Sequence, residues 1–199
     1  MSPKKLLTTV LLAILSIAIP AFAQNEANAK FSGLRLKNFG HISDTYYRGA
    51  QPEGQDYSDL AKVGVKTVIN LIGDYPDPGE KNMVEKAGMK YFAIPMTTHE
   101  SPTAEKLSEF LRIVNDSANQ PVYVHCIGGK HRTGVMTAIY RMTHDQWTAD
   151  QAFAEMKKYN YGPVFLHPEF KQFVYDFYKK LAVPSLPAVA VTTAVAATN

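Results

Sequence analysis

A single cysteine, Cys126, stands among 199 residues, so no disulfide can close within the chain. The six histidines show no HExxH or comparable ligand spacing, which gives no reason to expect a metal site or a cofactor. Charge of one sign is also scarce. The formal net charge is only +3, too little for the broad basic field that nucleic acid or an anionic membrane surface would need. Apolar runs are short. The longest, Leu6 to Ile19, is shorter than a comfortable bilayer span.

That run reads as an export signal. Lys4 and Lys5 precede it, Pro20 breaks it, and Ala21-Phe22-Ala23 before Gln24 fits the small-x-small cleavage pattern. Residues 1–23 are therefore expected to be a signal peptide and the chain to be exported, periplasmic or secreted. Membrane contact is expected only through this segment if it stays uncleaved. Losing Lys4 and Lys5 lowers the formal charge from +3 to +1. In an oxidising compartment a lone thiol is a functional candidate rather than a staple, and it is open to peroxide. Residues 182–199 carry no charge, hold Pro184 and Pro187, and lack an amphipathic period. They are expected to be a disordered tail. Residues 24–181 remain as one domain.

Within that domain, short strand patterns alternate with helical ones. Leu34-x-Leu36 and Tyr46-Tyr47 fit edge strands, Thr67–Ile72 fits a buried strand, and Met89–Pro95 is the next strand. Helices are expected over 54–63, from Pro78, from Ser101-Pro102, after the Cys126 loop, from Thr148 and from Pro168. Leu107, Phe110, Leu111 and Val114 recur at helical spacing. This order implies an α/β sandwich, a central mostly parallel sheet flanked by helices. Ligands of such sheets bind beyond the carboxyl end of the central strands.

The chemistry concentrates in His125-Cys126-Ile127-Gly128-Gly129-Lys130-His131-Arg132-Thr133-Gly134. Pro121-Val122-Tyr123-Val124 before it is a buried strand, and a helical pattern follows. A cysteine, a Gly-rich turn and an arginine opening a helix make a phosphate cradle with a nucleophile at its base. Turn N–H groups converge there and the helix dipole favours an anion. The same field favours a thiolate, the attacking form of a cysteine. Arg132 can clamp two phosphate oxygens in its planar fork. Ile127, Gly128, Gly129, Lys130 and His131 are the expected substrate-binding turn. Lys130 and His131 read either as a solvated rim or as a site for a second anionic group.

The ten residues resemble the HC-x5-R-[ST] loop of cysteine-dependent phosphatases, in the Arg-Thr-Gly form of the protein-tyrosine and dual-specificity enzymes. Tyr47-Arg48-Gly49-Ala50-Gln51-Pro52 and Gly129-Lys130-His131-Arg132-Thr133-Gly134 are similar to motifs of the atypical dual-specificity phosphatases of plants and fungi and their bacterial relatives. The resemblance implies a dual-specificity-phosphatase-like fold and hydrolysis of phosphate monoesters through a phosphocysteine on Cys126. It implies that Arg132 holds the phosphoryl oxygens, that Thr133 helps the thiolate leave, and that His125 orders the loop by hydrogen bonding. It also implies a general-acid aspartate in the loop that here reads Pro95-Met96-Thr97-Thr98-His99-Glu100-Ser101-Pro102, which contains none. By analogy with the phosphoinositide phosphatases Thr98 takes the acid's place. Glu100 ranks first as a substitute, then His99, then Asp74, with Asp77 beside it. The substrate implied is a phosphorylated protein or a small phosphorylated metabolite. A tyrosine or dual-specificity phosphatase leads, and an inositol polyphosphate or pyrophosphate phosphatase is the alternative. A sulfurtransferase and a non-hydrolysing phosphate-binding module remain as competing readings.

Overall fold

A computed structural model describes residues 30–182. The expected signal peptide and the tail beyond Ala182 lie outside these residues. Five strands form one sheet: β1 (Gly40–Ser43), β2 (Tyr46–Ala50), β3 (Thr67–Ile72), β4 (Lys90–Met96) and β5 (Val122–Cys126). Their order is β1-β2-β5-β3-β4. β1 runs antiparallel to β2, and every other pairing is parallel. β5 is therefore central, with Ala50 of β2 beside Cys126 and Asn70 of β3 beside His125. The chain keeps the α/β sandwich and mostly parallel sheet that its alternating patterns imply.

Six α-helices, α1 (Asp56–Lys62), α2 (Glu80–Lys86), α3 (Ala104–Asn115), α4 (His131–His144), α5 (Ala149–Lys158) and α6 (Pro168–Ala182), accompany the sheet, with a short 3-10 helix at Val164–Leu166. Alternation along β5 divides the core. Val122, Val124 and Cys126 join the larger cluster, with Phe110, Val135, Ile139 and Met156. Tyr123 turns to the smaller cluster on the other face, with Tyr57, Leu60, Val68 and Val84. Strand periodicity of two produces this split, since successive side chains take opposite faces.

Some boundaries differ from the sequence reading. Leu34 to Leu36 form no strand, although Leu36 is buried in the smaller cluster. Its apolar character serves packing, not pairing. β2 is interior, because β1 takes the edge beside it. α3 is capped by Thr103, whose hydroxyl accepts from Lys106 N–H at 3.4 Å, and not by Ser101. Pro102 lies outside the first turn, so the cap falls one residue after it. Thr148 does cap α5, in a reciprocal box with Gln151.

Candidate active site

β5 delivers Cys126 to the carboxyl edge of the sheet, where residues 127–130 turn into α4. The turn is held from behind. The carbonyl of Ile127 accepts from Gln51 N–H at 3.2 Å. The carbonyls of Gly128 and Gly129 accept from Asn38 Nδ2 at 3.2 and 2.8 Å, and Gly129 also accepts from Arg48 Nη2 at 2.6 Å. With three successive carbonyls bound outside the cradle, the peptide units present their N–H groups to its inside. No protein acceptor takes the N–H groups from Gly128 to Arg132 among the described residues. That arrangement is an anion-binding nest at a helix N-terminus.

Gly129 is required by this geometry. Its φ is +62°, and a Cβ there would lie 2.6 Å from Ala50 N, against the β2 backbone. The segment 47–52 thus supports the signature turn from below. Arg48 is wholly buried, with its guanidinium 4.1 Å over the Tyr159 ring. Burial lowers its pKa, and the Glu155 carboxylate is among the groups that oppose the shift. A buried cation beneath the nucleophile adds to the positive field of the turn.

Cys126 is 3% exposed, at the floor. Arg132 reaches the mouth, where Nη1 donates to Met96 O at 3.0 Å and to Asp74 Oδ2 at 3.2 Å. Its Nε is buried without a partner, as is Thr133 Oγ1. The Thr133 hydroxyl makes no hydrogen bond to the cysteine sulfur in this structure. Ile127 is 54% exposed and Lys130 is exposed, and both stand at the rim. His131 is half-buried: Nε2 donates to Tyr161 O at 2.8 Å, and the ring centroid lies 3.9 Å from that of His167, the two planes tilted by 42°.

His125 departs from expectation. Alternation turns it to the face opposite Cys126, where it orders no loop carbonyl. Its Nε2 lies 2.9 Å from Glu80 Oε1, with both side chains wholly buried. The approach is out of line for a hydrogen bond. Tyr57 Oη donates to Glu80 Oε1 at 3.3 Å, and Asn70 Nδ2 donates to Oε2. Burial, then Glu80, pushes the Tyr57 phenol above its usual range.

The expected acids separate. Glu100 is exposed and makes no hydrogen bond or ion pair to the cradle. His99 is exposed, its ring 6.1 Å from His167. The Thr98 carbonyl faces His167 Nδ1 at 3.0 Å, which ties that loop to the start of α6. Asp77 accepts from Gly79 N–H at 2.8 Å and shapes a turn. Asp74 is brought to Arg132. Sequence reasoning missed Asn38, Glu80 and His167. The left-handed φ of Asn38, 56°, has no reliable sequence sign, and Glu80 reads as an ordinary first-turn acid.

Residues 18–171 match the family described as DSP-PTPase phosphatase fused to NAD+ kinase. The chain belongs to this phosphatase family. Among relatives of these phosphatases, the inositol diphosphatase SIW14 of Saccharomyces cerevisiae is 28% identical over 62% of this chain and 45% of its own length. The dual specificity protein phosphatase TpbA of Pseudomonas aeruginosa is 30% identical over 63% of this chain and 56% of its own. The chain thus spans about half the length of these two relatives. The crystal structure of the SIW14 core catalytic domain with citrate superposes with a TM-score of 0.62 at 25% identity, covering 72% of this chain and 86% of that one. The P. aeruginosa TpbA crystal structure gives 0.61 at 26% identity, covering 73% and 90%. The phosphatase chain therefore belongs with the cysteine-dependent tyrosine and dual-specificity enzymes in both sequence and fold.

Proposed function

We propose that this phosphatase hydrolyses phosphate monoesters through a phosphocysteine on Cys126. The observation that carries the reading is the turn over Cys126, with three carbonyls bound outward and Arg132 at its mouth. Cys126 attacks phosphorus in line. The N–H groups of the 127–132 turn and the Arg132 guanidinium hold the equatorial oxygens and the charge that develops on them. The Thr133 hydroxyl, buried and unpartnered, serves the departing thiolate when water cleaves the intermediate. His125 braces the strand end from the opposite face.

A phosphotyrosine or dual-specificity substrate is the leading reading. The TpbA likeness supports it, since that protein has also been crystallised with pTyr (TM-score 0.60, 25% identity, covering 74% of this chain and 91% of that one). The SIW14 likeness and the basic Lys130-His131 rim favour an inositol diphosphate or polyphosphate as the second reading. Cys126→Ser should abolish turnover of an aryl phosphate while a phosphate analogue still binds; full activity in that variant rules the mechanism out. Residues 1–23 support export before this chemistry occurs, and N-terminal sequencing of the exported form tests it.

A further inference from the structure

We infer that Asp74 is the general acid of this site and, before substrate arrives, the anion that occupies Arg132. The inference rests on the phosphocysteine reading above and supplies the proton donor which that reading lacks.

Five carboxylates are near enough to consider, and contacts dispose of four. Glu80 is sealed on the opposite face with His125. Asp77 is bound to the Gly79 N–H. Glu169 lies 3.4 Å from His167 Nδ1, its Oε1 buried without a hydrogen-bond partner, and makes no contact with Arg132. Glu100 is exposed and touches nothing in the cradle. Asp74 alone among them contacts Arg132, 3.2 Å from Nη1, with its own side chain 36% exposed. Its carboxylate therefore lies beside the guanidinium that would hold the phosphoryl group.

The placement is built into the backbone. Gly73 N–H donates to Met96 O at 3.0 Å, and Arg132 Nη1 donates to the same oxygen. A Cβ on Gly73 would sit 2.8 Å from that carbonyl, so only glycine allows this approach. Tyr75 then takes a φ of 56° and turns its ring out to 99% exposure. Between a docked glycine and a left-handed tyrosine, Asp74 is aimed inward.

A phosphoryl group entering the cradle takes the guanidinium that Asp74 holds. The second pKa of a phosphate monoester is about 6, so near neutral pH its minor monoanionic form brings one proton, which the displaced carboxylate beside it can accept. As the bond from Cys126 sulfur to phosphorus forms and the phosphorus–oxygen bond breaks, the proton passes from Asp74 to the leaving oxygen, which departs as an alcohol. The carboxylate then takes a proton from the water that attacks the phosphocysteine. The sulfur–phosphorus bond breaks, the thiolate leaves, and phosphate is released.

Asp74→Asn is the test, with an alkyl phosphate and 4-nitrophenyl phosphate as substrates and inorganic phosphate as inhibitor. A poor leaving group needs the acid and a good one does not. Turnover of the alkyl ester should fall about 100-fold or more, and that of the aryl ester less than about tenfold. Inorganic phosphate should inhibit more tightly, since no carboxylate contests Arg132. Equal losses on both esters, no loss on either, or weaker phosphate inhibition would overturn the proposal, as would selective alkyl loss in Glu100→Gln instead. If Asp74→Asn behaves as wild type while Cys126→Ser is dead, only the acid assignment fails. If Cys126→Ser stays active, the phosphocysteine reading itself fails.

Discussion

Glu80 and Cys126 sit on opposite faces of the same central strand region, and each depends on what surrounds it. Glu80 is wholly buried, so its oxygens must be satisfied by Tyr57 and Asn70. Glu80→Ala strands two buried donors, at about 1–3 kcal/mol each. Its urea midpoint should fall accordingly, and Glu80→Gln, which keeps an oxygen in place, should lose much less. Equal losses in the two variants would show that the volume of Glu80 matters rather than its acceptors. At this scale the sequence was most legible where one short segment holds the chemistry. Cys126, Arg132 and Thr133 fall together because a turn and the first helical residues place them within one local structure. Glu80 and Asn38 could not be picked out, because their partners are distant in the chain.

At the scale of elements, α4 and α6 meet where each begins. His131 opens α4 and its ring meets that of His167, just before α6, at a tilt, and the Tyr161 carbonyl accepts from His131. Burial lowers the His131 pKa below the ordinary histidine value; the Tyr161 bond opposes this, and the charges of His167, Lys130 and Arg132 reinforce it. The unfolded chain then binds more protons than the folded one between the lowered value and about 6.5. Stability should be fully present above about pH 6.5 and fall as the solution is acidified through that window. Urea midpoints between pH 7.5 and 5 should show the decline, and His131→Gln should flatten it. An unchanged slope in that variant would remove His131 as the cause. β3, β4 and β5 were legible from their apolar runs, and α5 and α6 from Thr148 and Pro168, whereas β1 carries no such run and was not. The cap of α3 was not, because Ser101 and Thr103 offer the same hydroxyl and only the backbone path selects between them.

Over the whole molecule, strand order makes the site. β5 lies between β2 and β3, so the segment after β2 supports the signature turn from one side, and the loop after β3 brings Asp74 from the other. Export is the prediction at this scale: with Lys4 and Lys5 before the apolar run Leu6 to Ile19 and Ala21-Phe22-Ala23 before Gln24, the chain should leave the cytoplasm with Gln24 as its first residue. An exported form that retains Met1 would overturn cleavage at that point. The sequence by itself determined the reaction class, the α/β architecture and the central position of Cys126, because these follow from local backbone geometry and hydrophobic period. Only the tertiary structure decided that Asp74 rather than Glu100 meets Arg132, that His125 faces Glu80, and that Asn38 and Arg48 hold the turn. Those pairs are separated by tens of residues along the chain. Their contact depends on how strands order and pack, which no short stretch of sequence encodes.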